Sequence, residues 1–282
     1  MIQKINYAIT RVFDIILSPF RSINEFWGIL FLSIIMSFVV LVVYKYISSP
    51  RAIKETKNRI KANILAIRIY KDFWKVIVVS FFKSLFYIFK YFTLNLVPLL
   101  VIVPILFPAF VQMDVRYGMR PFRVGEEIMI KARFAQDPNG LEVQLLENGD
   151  FKPKMNPVFI NAFKDDDKKE PIREVNWKVA ATEEGMTAIK LKVFEQLFEK
   201  SLVIGDFRGS LSNKKLRESS FDHLIYPVEG LLKEGHVLEN IYIQYPGKYV
   251  SFAGLETYWW VFNLVLVVII VLAFRKRFGV EF

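Results

Sequence analysis

The sequence predicts an α-helical membrane protein, with three transmembrane helices, an interfacial helix, a cytoplasmic helical hairpin and an inserted all-β sandwich domain. Three observations lead to this fold class. The 282 residues are 53% hydrophobic and 16% aromatic, with a mean hydropathy of +0.30, which exceeds the apolar usage of soluble domains. Three uncharged stretches are long enough to cross a bilayer. Residues 113–256 instead show the period-two alternation that is typical of strands.

The first 27 residues are predicted to form an interfacial amphipathic segment. An apolar stripe runs along 5–20 at helical spacing, and Lys4, Arg11 and Asp14 fall elsewhere on the helix. The stripe consists of Ile5, Ile9, Val12, Phe13, Ile16 and Leu17. The segment is too short and too charged to span, so it is expected to lie in the membrane surface. A soluble helix packed on the β domain is the alternative.

Residues 28–46 and 94–112 are predicted as the first and second transmembrane helices. The first has no charge before Lys45, and Trp27 precedes it as an aromatic anchor. The second contains three prolines, which membrane helices tolerate where neighbouring groups satisfy the freed carbonyls.

Residues 257–274 are predicted as the third transmembrane helix. Its anchors are Tyr258, Trp259 and Trp260 at one end and Arg275, Lys276 and Arg277 at the other. Residues 275–282 then form a cytoplasmic tail.

Residues 47–93 are predicted to form a basic helical hairpin at the cytoplasmic membrane surface. Residues 45–90 contain eleven Lys or Arg and only two acidic residues, whereas 113–256 contain 21 basic and 23 acidic residues. The predicted contact face of the hairpin consists of Lys54, Lys57, Arg59, Lys61 and Arg68. Because short basic loops stay in the cytoplasm, the N-terminus and the β domain are expected outside and the C-terminus inside.

A competing topology makes residues 73–92 a fourth span. It would bury Lys83 near the middle of the bilayer, at about 3 kcal/mol, and it would put the basic tail outside. Three spans are therefore favoured.

The β domain, 113–256, is predicted as an antiparallel sandwich of about seven short strands. Inward residues alternate with polar ones in four runs, for example Ile128, Ile130, Ala132 and Phe134. The stretch EVNWKVAATEEGMTAIKLKV is interpreted as a strand bearing Trp177, a turn and a partner strand. It resembles immunoglobulin-like adhesion and scaffold domains, although the chain has no cysteine for their bridge.

Signals of enzymatic chemistry are nearly absent, so the chain is predicted not to be an enzyme and to need no cofactor. It contains no G-x-S-x-G, P-loop, G-x-G-x-x-G or H-E-x-x-H motif, and the lack of cysteine excludes thiolate metal sites. The two histidines, His223 and His236, are too few for a zinc site. The Asp165–Asp167 run lacks the spaced ligands of a calcium loop, so no metal is expected.

Four polar residues lie within the predicted spans: Ser33, Ser37, Asn95 and Asn263. Ser33 and Asn263 are at similar depth, counted from the outer ends of their helices, so the two side chains are expected to meet. One interpretation is a hydrogen bond between helices, worth about 0.6 kcal/mol. The other is a polar groove that helps a segment of another protein to enter the bilayer.

The order of these elements resembles the core of the YidC/Oxa/Alb insertase superfamily, especially its small three-span members. Shared features are a span entered from outside, the basic hairpin Arg51–Tyr91, a span returning outward and a preceding amphipathic helix. The resemblance implies that the hairpin face contacts the ribosome or nascent chain, and that Ser33 and Ser37 line a groove. Two features depart from the family: 28–44 carry no groove arginine, and the β domain is additional.

Two functions are expected from this organisation. The leading one is assistance to membrane-protein insertion or assembly, without covalent catalysis, in a bacterial inner (plasma) membrane. Its partners would be the lipid bilayer, other membrane proteins or nascent membrane segments, and no nucleic acid beyond the ribosome surface. The alternative is an accessory subunit of a larger membrane complex, whose β domain binds an extracytoplasmic protein partner.

Overall fold

The computed structural model describes residues 2–146, 149–162, 171–218, 222–232 and 237–280, and these divide into two compact units. The β unit combines Met1–Trp27 with Pro108–Trp259, and the helical unit combines Gly28–Phe107 with Trp260–Phe282. The Asp165–Asp167 run and His236 lie outside the described residues.

Two helical segments are long and apolar enough to cross a membrane, Glu25–Ile47 and Trp74–Gly118. The second ends in a π-helical turn, Asp114–Gly118. The helices are α1 (Ile2–Leu17), α2 (Glu25–Ile47), α3 (Pro50–Ile69), α4 (Trp74–Met113), α5 (Asp222–Ile225) and α6 (Trp259–Phe278).

Helix α4 runs through the predicted boundary at residue 93 without a break. Its 40 residues join the second arm of the predicted hairpin to the predicted second span. No helix therefore ends at residue 93, and the choice of three spans over four stays a prediction. Pro98, Pro104 and Pro108 all lie inside the helix, as expected for prolines within a span.

The helical unit contains one pair of parallel helices and one pair of antiparallel helices. Helices α2 and α6 run parallel, because Ser33 bonds to Asn263 near their starts and Leu41 packs on Val271 further along. Helices α3 and α4 run antiparallel, since Arg59 contacts Tyr87 and Lys57 lies over Tyr91. The predicted hairpin is thus present as a pair of packed helices.

Two antiparallel sheets and a small hairpin form the β unit. The larger sheet has the order β3-β5-β1-β9-β8, with β4 also pairing with β5; the smaller has the order β2-β6-β7; and β10 pairs with β11. The strands, eleven among the described residues, are β1 (Glu127–Phe134), β2 (Val143–Leu146), β3 (Phe151–Pro153), β4 (Val158–Ala162), β5 (Ile172–Ala181), β6 (Gly185–Val193), β7 (Gln196–Ile204), β8 (Lys214–Leu216), β9 (Leu238–Ile243), β10 (Val250–Phe252) and β11 (Leu255–Thr257).

Both sheets contribute to one hydrophobic core, and the alternating residues predicted to face inward are buried there. Ile128 and Ile130 of β1 and Ile189 of β6 are fully buried, and Trp177 of β5 is 4% exposed. The period-two pattern therefore located the core correctly. The immunoglobulin-like classification stays a prediction.

The predicted pairing of the Trp177 strand with the next strand is wrong. Strand β5 pairs with β1, β3 and β4, whereas β6 pairs with β2 and β7, so the chain passes from one sheet to the other between them. The physical reason is that inward residues of both sheets of a sandwich alternate with the same period. The pattern fixes the buried face of a strand but not its sheet.

Helix α1 packs on the β unit through its polar side. The amide of Asn6, which is 3% exposed, donates to the His223 carbonyl at 2.6 Å, and Gln112 donates to the Thr10 hydroxyl at 3.0 Å. The opposite side carries exposed apolar residues: Ile5, Val12, Ile15 and Ile16. The helix thus contacts the β domain, as the alternative interpretation proposed, yet three of the six residues of its apolar stripe stay exposed.

Candidate functional site

The basic hairpin is built around a packed seam between α3 and the first half of α4. The Arg59 guanidinium donates to the Tyr87 hydroxyl at 3.0 Å and forms an ion pair with Glu55 at 2.8 Å. The hydrogen bond from Arg59 lowers the pKa of Glu55 below its ordinary value. Ile53 is fully buried, and Ser80 and Ser84 lie in the interior on the α4 side. The contacts across the seam are made by long side chains, from Arg59 to Tyr87 and from Lys57 to Tyr91.

The predicted basic face divides between the seam and the solvent, because Arg59 and Lys57 contact tyrosines of α4 whereas the other three residues are exposed on α3. Lys54, Arg59, Lys61 and Arg68 are exposed, and Lys57 is half-buried with its ammonium 5.4 Å from the centre of the Tyr91 ring. The sequence therefore located an exposed cationic surface on α3. The exposed side chains of Lys54, Lys61 and Arg68 can attract anionic headgroups or an anionic partner.

A row of exposed aromatic side chains lies on the side of α4 that faces away from α3. Five phenylalanines on this side are between 56% and 64% exposed. They are Phe81, Phe82, Phe86, Phe89 and Phe92. Sequence analysis included this stretch only as part of the basic hairpin and did not identify the aromatic row. The spacing of the phenylalanines at three and four residues was the signal that they share one face.

The four polar residues within the predicted spans all form hydrogen bonds within the chain. The Asn263 amide donates to the Ser33 hydroxyl at 2.8 Å, and both side chains are buried. The hydroxyls of Ser33 and Ser37 donate to the carbonyls one helical turn earlier, at 2.7 and 2.6 Å. Asn95 likewise donates to the Tyr91 carbonyl at 2.7 Å. The contact between Ser33 and Asn263 that was expected from their similar depth is present, as a buried hydrogen bond.

The predicted anchors divide into exposed and buried groups. Trp27, Tyr258 and Trp260 are 46%, 41% and 50% exposed. Arg275, Lys276 and Arg277 are exposed in the last turn of α6. Trp259 differs: it is 5% exposed, its ring packs near Phe110, and its indole nitrogen donates to Asp114 at 3.2 Å. Trp259 is therefore packed inside the protein, unlike the other predicted anchors.

Lys200 in the β unit forms a buried ion pair that sequence analysis missed. Its ammonium contacts the Glu229 carboxylate and donates to the Ser212 carbonyl at 2.7 Å, and its side chain is fully buried. Burial lowers the pKa of Lys200 from its ordinary value. The alternation along β7 could have indicated this burial, because Lys200 lies between Phe198 and Leu202 on the inward-facing side of the strand.

Potential metal ligands are not clustered in the part of the chain that the structure describes. No group of three or more His, Cys, Asp or Glu side chains there is arranged to hold a metal ion. His223 is buried in α5, and this burial lowers its pKa.

Comparison with protein-family models, with curated proteins and with solved structures finds no match to this chain.

Proposed function

We propose that the chain is a three-span membrane protein of insertase-like organisation, which assists insertion or assembly of other membrane proteins without covalent catalysis. Two spans correspond to α2 and α4. The third is α6, because residues 257–274 carry no charged side chain. The parallel sense of α2 and α6 supports this topology, since a helix that returns across the bilayer must lie between two parallel spans. The basic hairpin and the Arg275–Arg277 end of α6 are then cytoplasmic.

The exposed aromatic row of α4 is the observation that carries the proposal. At about 1.5 Å per residue the 40 residues of α4 extend for about 60 Å, which is about twice the hydrocarbon thickness of a bilayer. With 94–112 in the bilayer, the half that bears Phe81 to Phe92 extends to its cytoplasmic side. Contiguous apolar surface of this kind is typical of interaction sites.

The charges beside the aromatic row suit a transient hydrophobic occupant. Lys83 and Lys90 lie on α4, and the exposed cationic face of α3 is adjacent along the hairpin. Lys90, about 6 Å along α4 from residue 94, is close enough to anionic headgroups to gain about 1 kcal/mol of attraction, whereas the rest of the hairpin projects from the bilayer. An emerging apolar segment would meet the phenylalanines there before it enters the bilayer.

An accessory subunit is the second candidate, and the Ser33–Asn263 hydrogen bond favours it. The residues expected to line a polar groove are buried and bonded within the chain. A client would then have to pass without their help. In this case a permanent partner covers the aromatic row.

Site-specific photo-crosslinking distinguishes these functions. A benzophenone amino acid is placed at Phe86 or Phe89, with Tyr87 as the matched control because it packs against Arg59. Membranes are supplied with ribosome-bound nascent chains of several unrelated membrane proteins. Insertase activity predicts crosslinks from Phe86 and Phe89 to many nascent chains, with Tyr87 crosslinking only within the chain.

The other outcomes separate the alternatives. One stoichiometric product, independent of the nascent chain, would identify an accessory subunit. Crosslinks to lipid alone would refute both functions of this surface. The triple change of Lys54, Lys61 and Arg68 to Gln should reduce nascent-chain crosslinks if the cationic face helps to receive the client.

A further inference from the structure

A small cationic pocket lies in the β unit beside the start of α2. It has a volume of about 40 Å³, room for about three water-sized groups, which is enough for the two free oxygens of a phosphodiester. Four basic side chains line it, with Leu17, Phe20 and Ile23 along one side. The basic residues are Arg21, Arg116, Arg208 and Lys248.

The charges around this pocket do not balance. Asp14 accepts from Arg116 at 2.8 Å and from Arg21 at 3.0 Å, and Glu25 pairs with Lys248 at 2.7 Å. These two carboxylates face four cations, which leaves two positive charges in excess. Arg208 has no carboxylate within ion-pair distance in the described ranges of the chain.

The guanidinium of Arg208 is held in place by backbone rather than by a counter-ion. Its Nη1 donates to the Arg21 carbonyl at 3.0 Å, in the turn that leads into α2. Its Nε and Nη2 have no hydrogen-bond partner among the residues that the structure describes. A planar guanidinium with two such donors matches the oxygens of a phosphate, which arginine binds in a bidentate manner.

The surroundings of the pocket point to a lipid as the source of the phosphate. Ile23 at its rim is 43% exposed, and Trp27, one turn into α2, is 46% exposed. Helix α1 ends at Leu17 on the pocket and turns its apolar side outward. Exposed apolar residues beside a basic pocket, at the first turn of a candidate membrane helix, are suited to a glycerol and acyl chain below a phosphate.

We propose that this pocket binds the phosphate of an anionic lipid headgroup, with Arg208 as its principal donor and Arg21 and Lys248 beside it. The proposal depends on the membrane placement given above and adds a lipid site to it. Arg116 is already bonded to Asp14, Thr10 and Gln112, so its role is to add positive charge to the pocket.

Binding of short-chain lipids to the full chain in dodecyl maltoside tests the proposal. Calorimetric titration compares dihexanoyl phosphatidylglycerol, dihexanoyl phosphatidylcholine and inorganic phosphate. We expect phosphatidylglycerol to bind at least tenfold more tightly than the other two. Arg208→Gln should weaken it about tenfold, because a charge-assisted pair of hydrogen bonds is lost. Arg208→Lys, which keeps the charge, should fall between.

Arg133→Gln is the matched control, since Arg133 lies on β1 with a side chain 40% exposed, away from the pocket lining. Its affinity for phosphatidylglycerol should equal that of the wild type. Equal binding of the two lipids, or no effect of either Arg208 change, overturns the proposal. Inorganic phosphate binding as tightly as phosphatidylglycerol overturns the assignment to lipid.

Carbonate extraction of membranes separates this inference from the membrane placement. A chain released by carbonate contradicts the placement itself. A chain that stays in the membrane but shows no lipid preference contradicts only the headgroup site. The crosslinking experiment on the aromatic row does not depend on the calorimetric titration or on the carbonate extraction.

Discussion

Replacing Lys200 with Met removes the positive partner from the buried ion pair of the β unit. The Glu229 carboxylate, 11% exposed, would keep its bonds from the Ser201 hydroxyl at 2.8 Å and amide at 3.3 Å but lose its counter-ion. Removing one partner of a buried pair costs about 3–5 kcal/mol, because an uncompensated charge remains. For a domain of this size the melting temperature should fall by about 6–20 °C.

The opposite change, Glu229→Gln, should have an effect that depends on pH. It leaves the ammonium of Lys200 without a counter-ion, so the pKa of Lys200 in the folded chain, already lowered by burial, falls further. Between that pKa and the higher value of the unfolded chain, the unfolded state binds more protons. Stability therefore rises with pH, and the loss relative to wild type should shrink from pH 7 towards pH 10.

The measurement is thermal unfolding of the full chain in detergent, followed by tryptophan fluorescence, because Trp177 lies in the same core. The double variant, Lys200→Met with Glu229→Gln, should be more stable than Lys200→Met alone, since no uncompensated charge remains. A melting temperature of Lys200→Met within about 2 °C of wild type would refute a buried, charged pair. A loss in Glu229→Gln that is equal at pH 7 and pH 10 would refute the titration of Lys200.

Three further predictions concern topology, the core and the helix pair. In this cysteine-free chain, a cysteine at the exposed Asn161 should react with a membrane-impermeant thiol reagent in intact cells, and one at Asn58 should not; the reverse labelling would contradict the proposed orientation. Trp177→Ala should destabilise the β unit by about 3–5 kcal/mol, because the side chain is 4% exposed, and an unchanged denaturant midpoint would place it outside the core. Asn263→Leu should cost only about 0.6 kcal/mol, since the Ser33 hydroxyl keeps its bond to Ile29; a loss of several kcal/mol on thermal unfolding in detergent would indicate a larger role.

Features that depend on one strand or one helix could be predicted from the sequence. The inward residues of β1 and β5, the burial of Trp177 and the exposed basic face of α3 all follow from a local period. A period reports which side of an element is covered, because burial and side-chain direction repeat together.

Features that depend on partners distant in sequence could not be predicted in this way. The period of β5 and β6 is the same whether they share a sheet or face each other, so their assignment to different sheets left no local trace. The continuity of α4 was missed because the charged residues of 73–92 and the uncharged run 94–112 were assigned to different elements, although a change in charge need not end a helix. The polar contact face of α1 was missed because Asn6 is buried by residues more than two hundred positions away.

The cationic pocket is likewise formed by residues that lie far apart in the sequence. Its basic residues come from the turn after α1, the end of α4, the loop after β7 and the segment before β10. No motif joins them in the sequence.

The hydrogen bond between Ser33 and Asn263 also bears on the order in which the chain is made. The two residues are 230 positions apart, so at about 5–20 residues per second the ribosome needs about 10–50 s to supply the second partner. Arg59 and Tyr87, only 28 positions apart, can meet soon after synthesis. Helix α2 is therefore made long before α6, with residues 108–259 of the β unit translated in between. The bond of the Ser33 hydroxyl to the Ile29 carbonyl keeps that polar group satisfied during the interval.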